Sequence, residues 1–250
     1  MTDPWYVKSF GRFYLEHYSH RNDDEAAAEV EALAALLEPD REGPLLDLCC
    51  GAGRHLIALR RLGFTNLAGL DLSAELLKVA GKELKVVVGE AVELIHADMR
   101  RIPHHNHFAT VLSLFTSFGY FTGDEENASV VEGVHRALRQ GGKFLIDTLN
   151  RDYVMAKLLP ENVVEREGFT ARSRRRITGD GKRVEKITVV RSRSGKEETF
   201  EESVRLYSAG ETEEMLSAAG FEDIRIYGAL CADPLTTSCE RMVVTGVKGR

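Results

Sequence analysis

The sequence lacks any long uninterrupted hydrophobic run. No apolar window in its 250 residues approaches the roughly 20 residues that a membrane-spanning helix needs. The first ten residues, MTDPWYVKSF, contain no continuous apolar segment of the kind found in signal peptides. We therefore expect no membrane partner and a cytoplasmic location.

Cysteine is scarce, and neither sign of charge dominates. The chain has four cysteines, two of them the adjacent pair Cys49 and Cys50, which favours reduced thiols over a disulfide framework. A net charge of −6 favours solubility and gives no general argument for nucleic-acid binding. Repeats and low-complexity segments are absent. The composition, 43% hydrophobic and 29% charged, predicts a globular protein with one large core and room for a small appendage.

Hydrophobic periodicity predicts helices first and then an alternating pattern. Residues 8–37 are predicted to be helical, because three aromatic residues recur at four-residue spacing and EAAAEVEALAALL is rich in alanine. Short apolar strands then alternate with helical segments, which is typical of a parallel sheet covered by helices. The predicted strands are LLDLC, NLAGLD, VELIHAD, FATVLSLF and GKFLIDTLN, with helices over 53–62, 73–82 and 124–138.

The alternation breaks after residue 150. Three stretches, FTARSRRRI, KRVEKITVVRSR and ETFEESVRLYS, are separated by the turn clusters TGDG and SGK, which indicates an antiparallel meander. A helix over 211–220 and two final strands follow. We predict an α/β fold with a doubly wound, seven-stranded, mostly parallel sheet. Its expected parts are an N-terminal helical segment (1–40), the main domain (41–150 and 211–250) and a β insertion (151–210).

The stretch PLLDLCCGAGRHL places a glycine-rich turn between the first strand and a helix. Such a turn leaves backbone N–H groups and the positive end of a helix dipole exposed, so an anionic group should bind there. The dinucleotide-binding pattern needs three glycines. Here Gly51 and Gly53 are followed by Leu56 at the third position, which argues against a nicotinamide cofactor.

The same stretch resembles motif I of class I S-adenosylmethionine (SAM) dependent methyltransferases, in which an acid precedes a glycine-rich turn. Asp47, Gly51 and Gly53 match that motif, whereas Cys49 stands where its first glycine usually lies, and the CC doublet looks like a known variant. The resemblance implies SAM as the cofactor. It also implies the seven-stranded fold of that superfamily.

Two further acids extend the resemblance along the chain. In the family, the acid matching Asp71 in GLDLS holds the ribose hydroxyls, and the acid matching Asp98 in HADMR accepts the adenine amino group. The stretch LFTSFGYF resembles the wall of the methyl-donor pocket. The cofactor residues implied in this way are Tyr14, Tyr18, Asp47, Cys49, Gly51, Ala52, Gly53, Arg54, Asp71, Leu72, Asp98, Met99 and Phe115.

Several of these residues also have simpler interpretations. Each acid alone is compatible with a helix cap or a surface carboxylate. Arg54 is either a solvated cation or a partner for the cofactor's methionine carboxylate. The Phe10, Tyr14, Tyr18 stripe is either core or part of a lid over the cofactor. The histidines of PHHNH fit a solvated loop better than a metal site, so no metal is expected.

The acceptor site is expected at the ends of the fourth and fifth strands. Tyr120 and Asn150 are the candidate catalytic residues there. The loop after the fourth strand lacks the Asn-Pro-Pro-Tyr or Asp-Pro-Pro-Tyr tetrad of adenine amino methylation and the Pro-Cys pair of cytosine C5 enzymes. These absences argue against methylation of nucleic-acid bases. The meander over 151–210 resembles the β-sheet insertion that some small-molecule N- and O-methyltransferases of this class place over their acceptor, which implies transfer to N or O of a small molecule.

The segment 172–193 holds nine lysines and arginines against two acids. It is either a solvated face that protects a sheet edge or an electrostatic guide for an anionic acceptor. Few aromatics interleave the charges, which makes nucleic acid an unlikely partner. An RNA methyltransferase and a SAM-binding module without turnover remain the alternatives, and the sequence leaves monomer and homodimer open.

Overall fold

The computed structural model describes residues 4–11, 23–89 and 92–249, which form two sheets and several helices. The helices are α1 (Trp5–Ser9), α2 (Asp23–Leu37), α3 (Arg54–Arg61), α4 (Ala74–Val88), α5 (Asp124–Ala137), α6 (Arg151–Lys157) and α7 (Ala209–Ala218). The strands are β1 (Leu45–Leu48), β2 (Leu67–Asp71), β3 (Glu93–His96), β4 (Phe108–Ser113), β5 (Leu138–Leu149), β6 (Glu161–Arg166), β7 (Phe169–Ile177), β8 (Arg183–Ser192), β9 (Glu197–Arg205), β10 (Phe221–Tyr227) and β11 (Arg241–Lys248).

The main sheet has seven strands in the order β10-β11-β5-β4-β1-β2-β3. Strands β1 to β5 pair in parallel, and β11 is antiparallel to both β5 and β10. The predicted fold is therefore confirmed. The strand order reverses between β1 and β4, and a doubly wound sheet forms its ligand crevice at such a point, outside the carboxyl ends of the strands.

Helices cover both faces of this sheet. Every residue of β1, β2 and β4 is buried, as expected for strands enclosed on both sides. Alternate residues contribute to two apolar cores, with Leu46 on the α5 and α7 side and Leu45 on the α2, α3 and α4 side. Among the described residues, no helix is long and apolar enough to cross a membrane.

The insertion is a second, four-stranded antiparallel sheet in the order β6-β7-β8-β9. The predicted antiparallel meander is confirmed. The structure has four strands where three were predicted, and helix α6 precedes them. Both missed elements are short. The N-cap of α6 is the Asn150 side chain, which also binds the loop before β11, so the start of this helix depends on a contact distant in sequence.

The continuous helix predicted over 8–37 is wrong. Helix α1 ends at Ser9, Phe10 lies in a turn and Gly11 in a bend, and the next described helix is α2. Tertiary contacts explain where α1 lies: Lys8 Nζ donates to Thr199 O at 2.8 Å and Ser9 Oγ donates to Glu201 O at 2.8 Å. Helix α1 is thus attached to the insertion, whereas α2 packs against α3 of the main domain.

A buried arginine joins the insertion to the main domain. The side chain of Arg205, at the end of β9, is 4% exposed. Its Nη2 donates to Glu211 Oε1 at 2.7 Å, its Nε to Asp124 Oδ1 at 3.1 Å and its Nη1 to Leu206 O at 2.7 Å. The two carboxylates belong to the first turns of α7 and α5, so one guanidinium fixes the end of β9 to two helices.

We predict that Arg205→Met lowers the free energy of unfolding by about 2–4 kcal/mol, because the change removes several charge-assisted hydrogen bonds at once. Urea denaturation measures the loss. The control is Arg176→Met, since Arg176 is 78% exposed in its pair with Glu185 and should cost less than about 1 kcal/mol. Equal losses in the two variants would contradict this role for Arg205.

Candidate active site

A single large cavity of about 1130 Å³ opens at the carboxyl ends of β1, β2 and β4. One end is walled by the loops that follow these strands, and the other by α1 and the inner face of the insertion. Of the predicted cofactor residues, those lining it are Asp47, Cys49, Gly51, Ala52, Arg54, Asp71, Leu72, Asp98, Met99 and Phe115. Tyr14 and Tyr18 lie outside the described residues.

The β1–α3 turn depends on left-handed backbone at three positions. Cys49, Gly51 and Gly53 have φ angles of 65°, 55° and 83°. A Cβ on Gly51 would meet nothing within 4 Å, so this residue leaves the wall bare for a ligand. A Cβ on Gly53 would lie 3.1 Å from Ala80 Cβ, so Gly53 permits α3 to pack against α4 and does not line the cavity. The two glycines of the motif therefore have different roles, since Gly51 lines the cavity and Gly53 permits helix packing.

Asp71 is a buried carboxylate at the end of β2. Its Oδ2 accepts a hydrogen bond from Gly51 N at 2.8 Å, and its Oδ1 accepts one from Ser73 N at 2.8 Å. Burial raises the pKa of Asp71. Each oxygen can accept a second bond, so the carboxylate can brace the glycine turn and still bind a diol in the cavity.

Asp47 and Arg54 contain buried polar atoms with unmet bonding capacity. Asp47 is 1% exposed, its Oδ2 has no hydrogen-bond partner among the described residues, and burial raises its pKa to about 6. Arg54 Nη1 also lacks a partner there, and Nη2 lies 2.9 Å from Glu29 Oε2 without hydrogen-bond geometry. Each unsatisfied group costs roughly 1–3 kcal/mol. A ligand carrying both an ammonium and a carboxylate, such as the methionine part of SAM, fits this pair.

Asp98 is held by a residue that sequence analysis missed. Arg100 Nη2 lies 2.6 Å from Asp98 Oδ2, and its Nε donates to Oδ1 at 3.0 Å. Burial opposes ionisation, but the hydrogen bonds from Arg100 keep the pKa of Asp98 below its usual value. Arg100 Nη1 also binds Glu126 Oε1 at 2.5 Å. Asp98 is therefore a fixed, charged group in the wall beside Met99.

An aromatic cluster forms the roof of the cavity around Tyr120. The Tyr120 ring lies 5.0 Å from that of Trp5, edge to face, and 5.4 Å from that of Phe10, nearly parallel. Arg183 supports the loop by donating to Phe121 O at 2.9 Å and Gly119 O at 3.3 Å. Sequence analysis placed Tyr120 at the acceptor site but did not pair it with Trp5, because the fold brings α1 to it.

Asn150, the other candidate catalytic residue, does not line the cavity. Its Nδ2 donates to Thr236 O and Cys239 O, both at 2.8 Å, and its Oδ1 accepts from Asp152 N at 3.1 Å. The side chain is 3% exposed and its bonding groups are engaged. Asn150 therefore positions the loop before β11 and the start of α6, and its side chain is not placed to contact an acceptor in the cavity.

The wall formed by Phe115 is held in a strained turn. Phe115 and Thr116 have φ angles of 58° and 61°, which residues with side chains rarely adopt. Phe115 N donates to Asp147 Oδ2 at 3.0 Å, and Arg241 Nη1 donates to Thr116 Oγ1 at 2.6 Å. Asp147 and Arg241 also form an ion pair with 2.6 Å between Nη2 and Oδ1. The single acid inside the apolar run FLIDTL was the sequence feature that could have revealed this brace.

The basic segment 172–193 is partly neutralised by cross-strand partners. Four of its nine cations form ion pairs with glutamates of neighbouring strands: Arg174–Glu161, Arg176–Glu185, Lys186–Glu202 and Arg191–Glu197. The pair Lys186–Glu202 lines the cavity, and the other three pairs give the outer face of the insertion charges of both signs.

Comparisons with known proteins agree with this geometry. A family profile described as a methyltransferase domain matches residues 45–142. The dTDP-3-amino-3,4,6-trideoxy-alpha-D-glucopyranose N,N-dimethyltransferase of Streptomyces venezuelae is 32% identical over 132 residues, which is 52% of this chain and 53% of that protein. The chain thus spans about half the length of this curated relative, and 60% of another.

Solved structures match over nearly the whole chain. The CcbJ methyltransferase from Streptomyces caelestis has a TM-score of 0.81 at 16% identity and covers 100% of both chains, which shows the shared fold. The sugar N-methyltransferase KedS8 from a Streptoalloteichus species has a TM-score of 0.71 at 25% identity, covering 95% of this chain and 93% of that chain. The chain therefore contains a methyltransferase domain over residues 45–142 and shares the fold of these methyltransferases.

Proposed function

We propose that the protein transfers a methyl group from SAM to a nitrogen or oxygen of a small-molecule acceptor. One observation carries this proposal: a single cavity joins the acids at the ends of β1 and β2 to the inner face of the insertion. Donor and acceptor can therefore meet in one partly enclosed space. Sugar N-methylation, named for KedS8, and amino-sugar N,N-dimethylation, named for the S. venezuelae relative, support a small acceptor and make amino sugars the first compounds to test.

The cofactor end has the groups that SAM requires. Asp47 and Arg54 would hold the ammonium and carboxylate of its methionine part, Asp71 the ribose hydroxyls and Asp98 the adenine amino group, with Gly51 leaving room for close approach. When bound, SAM supplies a methyl group already activated on a positively charged sulfur. The protein's task is then to orient the acceptor and exclude water.

The aromatic roof suits that task. The faces of aromatic rings attract positive charge, so the cluster of Trp5, Phe10 and Tyr120 can stabilise a cationic ligand while it covers the cavity. Alignment of two reactants can contribute up to about 7–11 kcal/mol. We propose that residues 4–11 act as part of the expected lid and that Tyr120 contacts the acceptor. A general base is needed only if the acceptor arrives protonated.

The alternatives gain no support. An RNA methyltransferase would need a cationic outer surface, yet Arg174, Arg176 and Arg191 on that face are paired with glutamates. A SAM-binding module without turnover would not need the second half of the cavity. All four cysteines are free thiols, which supports the proposed cytoplasmic location.

We predict that the protein binds SAM and S-adenosylhomocysteine more tightly than NAD, and that Asp71→Asn weakens binding of S-adenosylhomocysteine by about 1.5–3 kcal/mol, the usual value of a hydrogen bond to a charged group. Isothermal titration calorimetry measures both. Asp180→Asn, in an exposed turn of the insertion, is the control and should keep the parent affinity. Tighter binding of NAD than of SAM would refute the cofactor assignment.

We predict that cofactor affinity falls as the pH drops through about 6. Burial raises the pKa of Asp47 to about 6, so the carboxylate that would attract the ligand's ammonium is charged above this pH and is lost below it. The affinity for S-adenosylhomocysteine should be constant above pH 7 and fall by up to about tenfold per unit below pH 6. Asp47→Asn should bind weakly without this pH dependence. An unchanged pH profile in that variant would assign the titration to another group.

Turnover is tested with a radiolabelled methyl donor. The protein is incubated with amino sugars, metabolite pools or total RNA, and the labelled products are then separated by size. We expect label in the small-molecule fraction, accompanied by S-adenosylhomocysteine. Label confined to RNA would reverse the choice of acceptor class, and tight SAM binding without S-adenosylhomocysteine in any pool would favour a module without turnover.

A further inference from the structure

The inner face of the insertion carries one row of charges across three strands. In the antiparallel register Arg175 of β7 lies directly opposite Lys186 of β8, and Lys186 lies opposite Glu202 of β9. All three line the cavity. Side chains alternate between the two faces of a strand, so Arg174 and Arg176 lie on the opposite face from Arg175.

This row has an excess of positive charge. Lys186 Nζ binds Glu202 Oε1 at 2.7 Å, and Arg175 pairs with no carboxylate in the part of the chain that the structure describes. Among the described residues, the Arg175 guanidinium donates only to the neutral Asn162 Oδ1, at 2.6 Å. Like charges directly opposite each other in a sheet are destabilising. Two cations and one acid in this row therefore destabilise the sheet unless a further negative charge lies beside them.

As far as the structure describes the chain, the other acids that line the cavity form no ion pair with Arg175. Glu240, another acid of the cavity wall, already accepts a hydrogen bond from Tyr153 Oη at 2.9 Å. Lys157, at the end of α6, also lines the cavity and makes no ion pair with any described residue. By contrast, the outward Arg174 and Arg176 each have a glutamate partner.

We propose that the acceptor carries an anionic group, a phosphate or a carboxylate, and that Arg175 binds it beside Lys186 and Lys157. The inference rests on the proposed function, because it takes this end of the cavity as the acceptor's place. An arginine whose other N–H donors are free can bind such a group through two parallel hydrogen bonds. The anion would also relieve the repulsion between Arg175 and Lys186.

The two ends of the cavity would then select their ligands by charge. At the cofactor end Asp47 and Asp71 form no ion pair with a described residue, and their carboxylates suit the positively charged sulfur and ammonium of SAM. Arg175 and Lys157 make the insertion end basic. An anionic acceptor would be repelled from the cofactor end and attracted to its own.

The test measures anion binding to the full chain saturated with S-adenosylhomocysteine. Inorganic pyrophosphate and succinate are titrated separately by calorimetry at constant ionic strength, which distinguishes a phosphate from a carboxylate. We expect at least one of them to bind the parent and Arg175→Gln to weaken that binding by about tenfold or more. Arg174→Gln is the matched control. It removes the same charge one residue away, on the opposite face, and should change the affinity by less than about twofold.

The outcomes separate this inference from the proposed function. If S-adenosylhomocysteine binds and neither anion binds the parent, the anionic acceptor is refuted while the cofactor assignment stands. Equal weakening by Arg174→Gln and Arg175→Gln would refute the site, since a general surface charge would then explain binding. Failure of S-adenosylhomocysteine to bind would refute both. Thermal unfolding without anion checks folding, because Arg175→Gln should be at least as stable as the parent once the like-charge pair is gone.

Discussion

The hydrogen bond between Gly51 N and Asp71 Oδ2 connects the two central strands at the point where the cavity begins. It can form only because the backbone turns sharply after β1, with left-handed residues at Cys49 and Gly51. That turn starts α3 at Arg54 and leaves the face of Gly51 uncovered. The direction of α3, the bare wall and the position of the Asp71 carboxylate are therefore consequences of one local backbone path.

The three acids at the strand ends are equivalent in the sequence but not in their surroundings. Asp47 has an oxygen with no partner among the described residues, Asp71 is bonded to backbone N–H groups, and Asp98 is paired with Arg100. Burial without a partner is the most expensive of these states. Among the described residues, Asp47 and Arg54 hold neighbouring buried polar atoms without hydrogen-bond partners. The charged end of a cofactor would be bound most strongly there.

Sequence patterns predicted the elements that depend on local signals. The buried strands β1, β2 and β4 and the glycine turn are encoded in short apolar runs and their boundaries, and they were found where expected. The failures depend on contacts between distant residues. Helix α1 lies on β9, and the side chain of Asn150 is used up by the loop at Thr236 to Cys239. Successive side chains of β7 point to opposite faces, so Arg175 faces the cavity while Arg174 and Arg176 face outward. This assignment requires the pairing register of β7 with β8, which the sequence does not give.

The three consecutive arginines of β7 have a consequence for how the insertion finds its pairing. A slip of one residue exchanges the two faces of a strand, but it would still bring an arginine to the inner face. These residues therefore cannot discriminate the correct alignment from its nearest errors. That information must come from their flanks, where Ser173 Oγ lies 3.0 Å from Thr188 Oγ1 and Ile177 is opposite the buried Val184. A one-residue slip would thus leave a positive charge on the inner wall. The hydroxyl pair and the apolar pair distinguish the correct register from the slipped one.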